Sequence, residues 1–80
     1  MGQVVFSAAA TRQWLKLPRQ LRERIGRKLD VLAATGQGDV KKPTGQPGGR
    51  LRIGDRRVIF YQEGDTIVVV AVGHRREIFD

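Results

Sequence analysis

Eighty residues carrying a formal charge of +7 and no cysteine exclude a disulfide scaffold and thiolate metal sites, and they suit a reducing cytoplasm. A chain this short buries only about three-fifths of its unfolded surface, so one thin-cored domain over residues 1–80 is expected. The longest apolar run, Ile67 to Val72, is too short to span a bilayer, and no basic segment followed by a long apolar one marks a secretory signal.

The basic excess is mostly arginine, 11 of 15 cationic residues. The planar guanidinium matches phosphate and carboxylate geometry better than the lysine ammonium does. The charge reads either as a solubilising positive surface or, more sharply, as the mark of an anionic partner, nucleic acid or an acidic protein.

In chain order, Gln3 to Phe6 (QVVF) reads as a short strand. Ser7 reads as an N-cap for a first helix, Ala8 to Lys16, because its hydroxyl can accept a free N–H of the first turn. Ala10, Trp14 and Leu17 lie at helical spacing and are expected to face the sheet, with Trp14 a core residue. Pro18 ends that helix and opens a second, Arg19 to Ala34, in which Leu21, Ile25, Leu29 and Leu32 form one apolar stripe. Arg22, Arg24, Arg27 and Lys28 lie mostly off the stripe, as a solvated face or an electrostatic skirt toward a large anionic target. Gly26 costs about 1 kcal/mol against alanine in a helix, which predicts close packing against the first helix. Gly36 is the expected stop.

Thr35 to Gly49 reads as a loop rich in glycine and proline that carries Lys41 and Lys42. Beyond it, Leu51 and Ile53 alternate with Arg50 and Arg52, a strand with one apolar and one basic face. Gly54-Asp55 makes a two-residue hairpin. That turn sets Leu51 opposite Val58 and Arg52 opposite Arg57, and opposed residues share a face. Arg50, Arg52 and Arg57 therefore fall on one face, with Leu51, Ile53, Val58 and Phe60 on the other. Like charges on one small face destabilise a sheet, so the cluster reads as an anion site, unless Glu77 or Asp80 neutralises it.

Glu63-Gly64 is read as the second turn. Asp65 to Val72 is then a central strand, apolar on both faces, covered on one side by the helices and on the other by a neighbouring strand, the tail or a binding partner. Gly73 is read as a bulge. His74 and Arg75 follow at the strand end beside Arg57, and the bulge leaves open which of them joins the basic face.

The string GRLRIGDRRVIFYQEGDTIVVVAVGHRREIF resembles the C-terminal half of the RelE/ParE toxin family, through R-x-G-D-x-R-V-I-[FY], then V-G-H-R, then a closing aromatic. The resemblance covers nearly the whole chain. It implies an α+β fold, β-α-α-β-β-β, with two helices packed on a twisted antiparallel sheet. It also implies a toxin of a bacterial toxin–antitoxin pair, partnered by a cognate antitoxin. By that resemblance, Arg57 matches an arginine that holds the scissile phosphate and Arg75 one that stabilises its charge. Arg50 and Arg52 match RNA-binding positions, and Arg56, Lys41, Lys42 and Phe79 extend the RNA contact. His74 is the first candidate for acid or base, since histidine is the side chain that changes charge near neutrality.

The activity so implied is ribosome-dependent mRNA cleavage in the A site, by attack of the 2′-OH with no metal or other cofactor. Two alternatives stay open: a gyrase-inhibiting toxin without nuclease activity, and a basic RNA-binding module that does not cut. Three positions depart from the family pattern. Arg56 replaces a tyrosine, Pro43 a leucine, and Phe79 a tyrosine whose hydroxyl assists the chemistry. The chain ends at Asp80, so no C-terminal helix is expected.

Overall fold

The structure, a computed structural model, describes residues 2–38, 40–41 and 48–77. Strand β1 (Gln3–Phe6) leads into helix α1 (Ala8–Leu15) and helix α2 (Arg19–Thr35). Strands β2 (Val40–Lys41), β3 (Gly48–Ile53), β4 (Arg56–Glu63) and β5 (Thr66–His74) follow. They form one sheet in the order β1-β5-β4-β3-β2. Both helices pack on one face of it, which is the α+β arrangement expected. Within the sheet, β2 to β5 run antiparallel to their neighbours, and β1 lies parallel to β5.

The helix boundaries follow from local chemistry. Ser7 is the N-cap of α1, accepting the Ala10 N–H at 3.1 Å. Pro18 is the N-cap of α2, and its extended ψ of 149° admits the chain into the helix. Gly36 closes α2 in the left-handed region, φ 73°, where its N–H reaches Leu32 O at 2.8 Å. The α2 stripe does bury: Ile25, Leu29 and Leu32 share one core with Leu51, Ile53, Val58, Phe60, Ile67, Val69 and Val72. Trp14 packs against that core, its ring 5.0 Å from that of Phe6. Close helix packing does not explain Gly26, since a Cβ there would sit 3.8 Å from Trp14 Cη2, an ordinary contact.

Three further details differ from the expectations. The 35–49 stretch contributes a short edge strand, β2, whose Lys41 pairs with Arg50. The second hairpin turns on Gly64-Asp65, because Glu63 pairs with Thr66. Both hairpins thus use a Gly-Asp pair with φ near +58° on the glycine, which suits the twist of the flanking strands. The bulge falls at Val70, between the pairs Ile59–Ala71 and Phe60–Val69, and not at Gly73.

That bulge is anchored from α1. Strand β1 has four residues and its pairing ends at Phe6–Val69, so β5 beyond Val69 has no strand on that side. Helix α1 supplies the missing partners. Ser7 Oγ donates to Val70 O at 3.4 Å, and Gln13 Oε1 accepts the Val72 N–H at 2.7 Å. Backbone groups that would otherwise lie unpaired beneath a helix are satisfied by two side chains.

Candidate nucleic-acid interface

The registers settle which side chains meet. Arg50 pairs with Ile59, Leu51 with Val58, Arg52 with Arg57 and Ile53 with Arg56. Leu51, Ile53 and Val58 are buried under the helices. Arg50, Arg52 and Arg57 therefore occupy the opposite face, as the hairpin predicts, and Lys41 joins them across from Arg50. Opposite Arg57 on β5 stands Gly73, which brings no side chain to that place. The rest of this face carries Ile59, Tyr61, Val5 and Val68, all half-buried or exposed. Among the described residues no element covers it, so the face is apolar at its centre and cationic at one end.

Arg57 is the one buried charged residue among those described, 6% exposed. Its Nη1 donates to Gly54 O at 2.8 Å and to Arg56 O at 3.0 Å, both carbonyls of its own hairpin. The guanidinium is thereby fixed against the turn. Arg50 is held differently: its Nη1 is buried and has no hydrogen-bond partner. A buried unpaired donor costs about 1–3 kcal/mol, and Arg22 Nε of α2 is the other such atom among the described residues.

The bulge at Val70 decides the rest. Before it, Ile67 and Val69 point to the helices; after it, Val72 does. His74 follows Val72 in that alternation and pairs with Arg56, which itself lies opposite Ile53. Both side chains therefore belong to the helix side, away from Arg50, Arg52 and Arg57. Arg56 lines a cleft of about 300 Å³ with Gln13, Lys16, Leu17, Val72 and Glu77. The choice between His74 and Arg75 that the sequence left open is thus decided against His74, because one extra residue in β5 inverts the parity of the β5 residues after it, while Arg56 faces the helices through the β3–β4 register alone.

Arg75 sits at the hairpin tip. Its N–H donates to Asp55 O at 2.8 Å, and its Nε lies 3.8 Å from Asp55 Oδ1. Both side chains are more than half exposed, so this ion pair contributes little and is easily exchanged for another anion. The tip also receives a residue that strand parity could not foresee. Arg24 of α2 lies over Gly54, where a Cβ would meet its Nη2 at 3.3 Å. No periodicity of α2 signals this approach, which depends on how the helix crosses the sheet. Lys42 and Phe79 lie outside the described residues.

Two helices on one face of a short mixed sheet, with arginines at one end of the other face, make an α+β fold shared with RelE toxin structures. The sequence pattern of the family described as the ParE toxin of the type II toxin–antitoxin system, parDE, matches residues 4–79, and the chain belongs to that family. Among solved structures it is similar to the RelB–RelE antitoxin–toxin complex from Methanococcus jannaschii, at 26% identity over 95% of each chain with a TM-score of 0.75. The intact E. coli RelBE toxin–antitoxin complex has the same fold, with a TM-score of 0.80 at 19% identity over 92% of this chain and 96% of that one. The YoeB–YefM complex from Staphylococcus aureus shares it at 13% identity over 92% and 97% of the two chains, TM-score 0.75. No curated protein sequence matches the chain.

Proposed function

We propose that this toxin binds mRNA in the ribosomal A site with its arginine face and promotes cleavage there by attack of a ribose 2′-OH on the adjacent phosphate. The observation that carries the reading is the buried, unpartnered Arg50 Nη1 on the face shared by Arg52 and Arg57. A donor left unsatisfied in the free protein is suited to a phosphate oxygen. In this mechanism Arg50 and Arg52 hold the RNA backbone. Arg57, locked on its turn, and Arg75, on an exchangeable ion pair, face the charge that develops on the phosphate.

Proton transfer is not assigned to this face. Tyr61 shares it but lies four residues along β4 from Arg57, about 13 Å away. Phenylalanine at position 79 has no proton to exchange. The toxin then supplies orientation and electrostatic stabilisation, and the ribosome or solvent supplies acid and base. A cognate antitoxin of acidic character is the proposed partner, since several similar folds were solved with an antitoxin bound.

A second reading, inhibition of DNA gyrase, is favoured by the family description, which names the ParE toxin. Primer extension on mRNA after induced expression separates the two. Codon-phased cuts that vanish in Arg50→Ala support cleavage. Growth arrest with intact mRNA and double-strand DNA breaks supports the gyrase target and overturns the first reading.

A further inference from the structure

At the end of β5 the chain closes on itself through four residues, His74 to Glu77. The Glu77 N–H donates to His74 O at 2.8 Å. The Arg76 N–H donates to His74 Nδ1 at 3.2 Å. In return, the His74 N–H donates to Glu77 Oε1 at 3.3 Å. This reciprocal pairing resembles a helix capping box, with glutamate three residues on, except that the histidine side chain accepts the N–H of the second residue and its backbone carbonyl that of the third. Between the two ends of the box lies Arg75, tied by its own N–H to Asp55 O at 2.8 Å.

We propose that His74 is a positioning residue, whose Nδ1 closes the 74–77 box and so holds Arg75 at the hairpin tip, and not a group that exchanges protons with substrate. The chemistry of imidazole carries this. To accept the Arg76 N–H, Nδ1 must present its lone pair, which places the ring proton on Nε2. The basic nitrogen is then already occupied by the backbone, and the other carries a proton. The ring also belongs to the helix side, with Arg56, so it does not share the face of Arg50, Arg52 and Arg57. The inference rests on the reading of Arg75 as a phosphate contact, and it adds what keeps Arg75 in place.

The test compares His74→Asn with His74→Ala in the full-length toxin. Asparagine is among the best side chains for accepting a backbone N–H at a cap, and it cannot act as acid or base. Ribosome-dependent mRNA cleavage is expected to fall about five- to tenfold in His74→Ala, the loss of one net hydrogen bond, and to recover to within about threefold of wild type in His74→Asn. In an Arg75→Ala background, His74→Ala is expected to add nothing, because it acts through Arg75. Equal loss in His74→Asn and His74→Ala, or a further loss in the Arg75→Ala background, overturns the proposal.

A wild-type toxin that cuts no mRNA defeats the cleavage reading alone. Amide hydrogen exchange by NMR then decides the capping role. The Arg76 N–H is expected to exchange several-fold faster in His74→Ala and at the wild-type rate in His74→Asn, and unchanged exchange in both overturns it.

Discussion

Arg57 and Arg50 stand on the same sheet face with opposite consequences for stability. Arg57 donates to two carbonyls of its own turn, so it holds the hairpin together as well as presenting charge. Arg57→Ala is expected to lower unfolding stability by about 1–3 kcal/mol in urea denaturation, because two carbonyls lose a charged donor. Loss of toxicity in that variant therefore has to be read beside its folded fraction. Arg50 carries a buried nitrogen with no partner. Arg50→Met keeps the apolar stem and removes the orphan donor, so stability is expected to hold or to rise by up to about 1 kcal/mol while RNA binding weakens. A matched drop in both quantities would contradict the view of Arg50 as a residue kept for its ligand. The pairing of Arg52 with Arg57 was legible in the sequence, since a two-residue turn at Gly54-Asp55 leaves one register. The carbonyl contacts of Arg57 were not, because they depend on a side-chain path that alternation says nothing about.

At the scale of elements, α1 matters less for its length than for what it lends to β5. Gln13→Ala would leave the Val72 N–H without its 2.7 Å acceptor, at an expected cost of about 1–2 kcal/mol in thermal or urea unfolding. Gln13→Glu keeps the carbonyl-type oxygen and is expected to retain most of that stability. In α2, the space at Gly26 admits a methyl group 3.8 Å from Trp14, so Gly26→Ala is expected to stabilise the fold by about 0.5–1 kcal/mol. Destabilisation by that change would show that the two helices approach more closely than the contact allows. The stripe from Leu21 to Leu32 and the caps at Ser7 and Gly36 could be read from spacing, because helix periodicity and capping are local. The bulge at Val70 could not. The run of valines from Val68 to Val70 offers no break in its pattern, and the extra residue lies between two contacts from other elements, Ser7 N–H to Val69 O at 2.9 Å and Val72 N–H to Gln13 Oε1 at 2.7 Å.

For the whole molecule, four of the 15 cationic residues gather where several elements end. Arg52, Arg57, Arg75 and the helical Arg24 all approach the β3–β4 turn. Binding to a short single-stranded RNA is therefore expected to depend steeply on salt. The four phosphate contacts proposed for Arg50, Arg52, Arg57 and Arg75 would give a slope of log K against log salt of about −3, at roughly −0.7 per contact. Each single Arg→Ala change is expected to reduce that slope by about 0.7, measured by fluorescence anisotropy over a salt series. A slope near zero would exclude the backbone-binding face.

The amino-acid sequence by itself determined the two helices, the hairpin register and the common face of Arg50, Arg52 and Arg57. Each follows from short-range periodicity or from a two-residue turn, and neither needs knowledge of distant partners. Only the tertiary structure decided that β1 runs parallel to β5, that Arg24 comes to the hairpin tip, and that His74 turns toward the helices. The place of Arg24 depends on the crossing of α2 over the sheet, and that of His74 on one extra residue in β5. Parity is a local rule, and a single bulge held by a side chain from another element is enough to invert it.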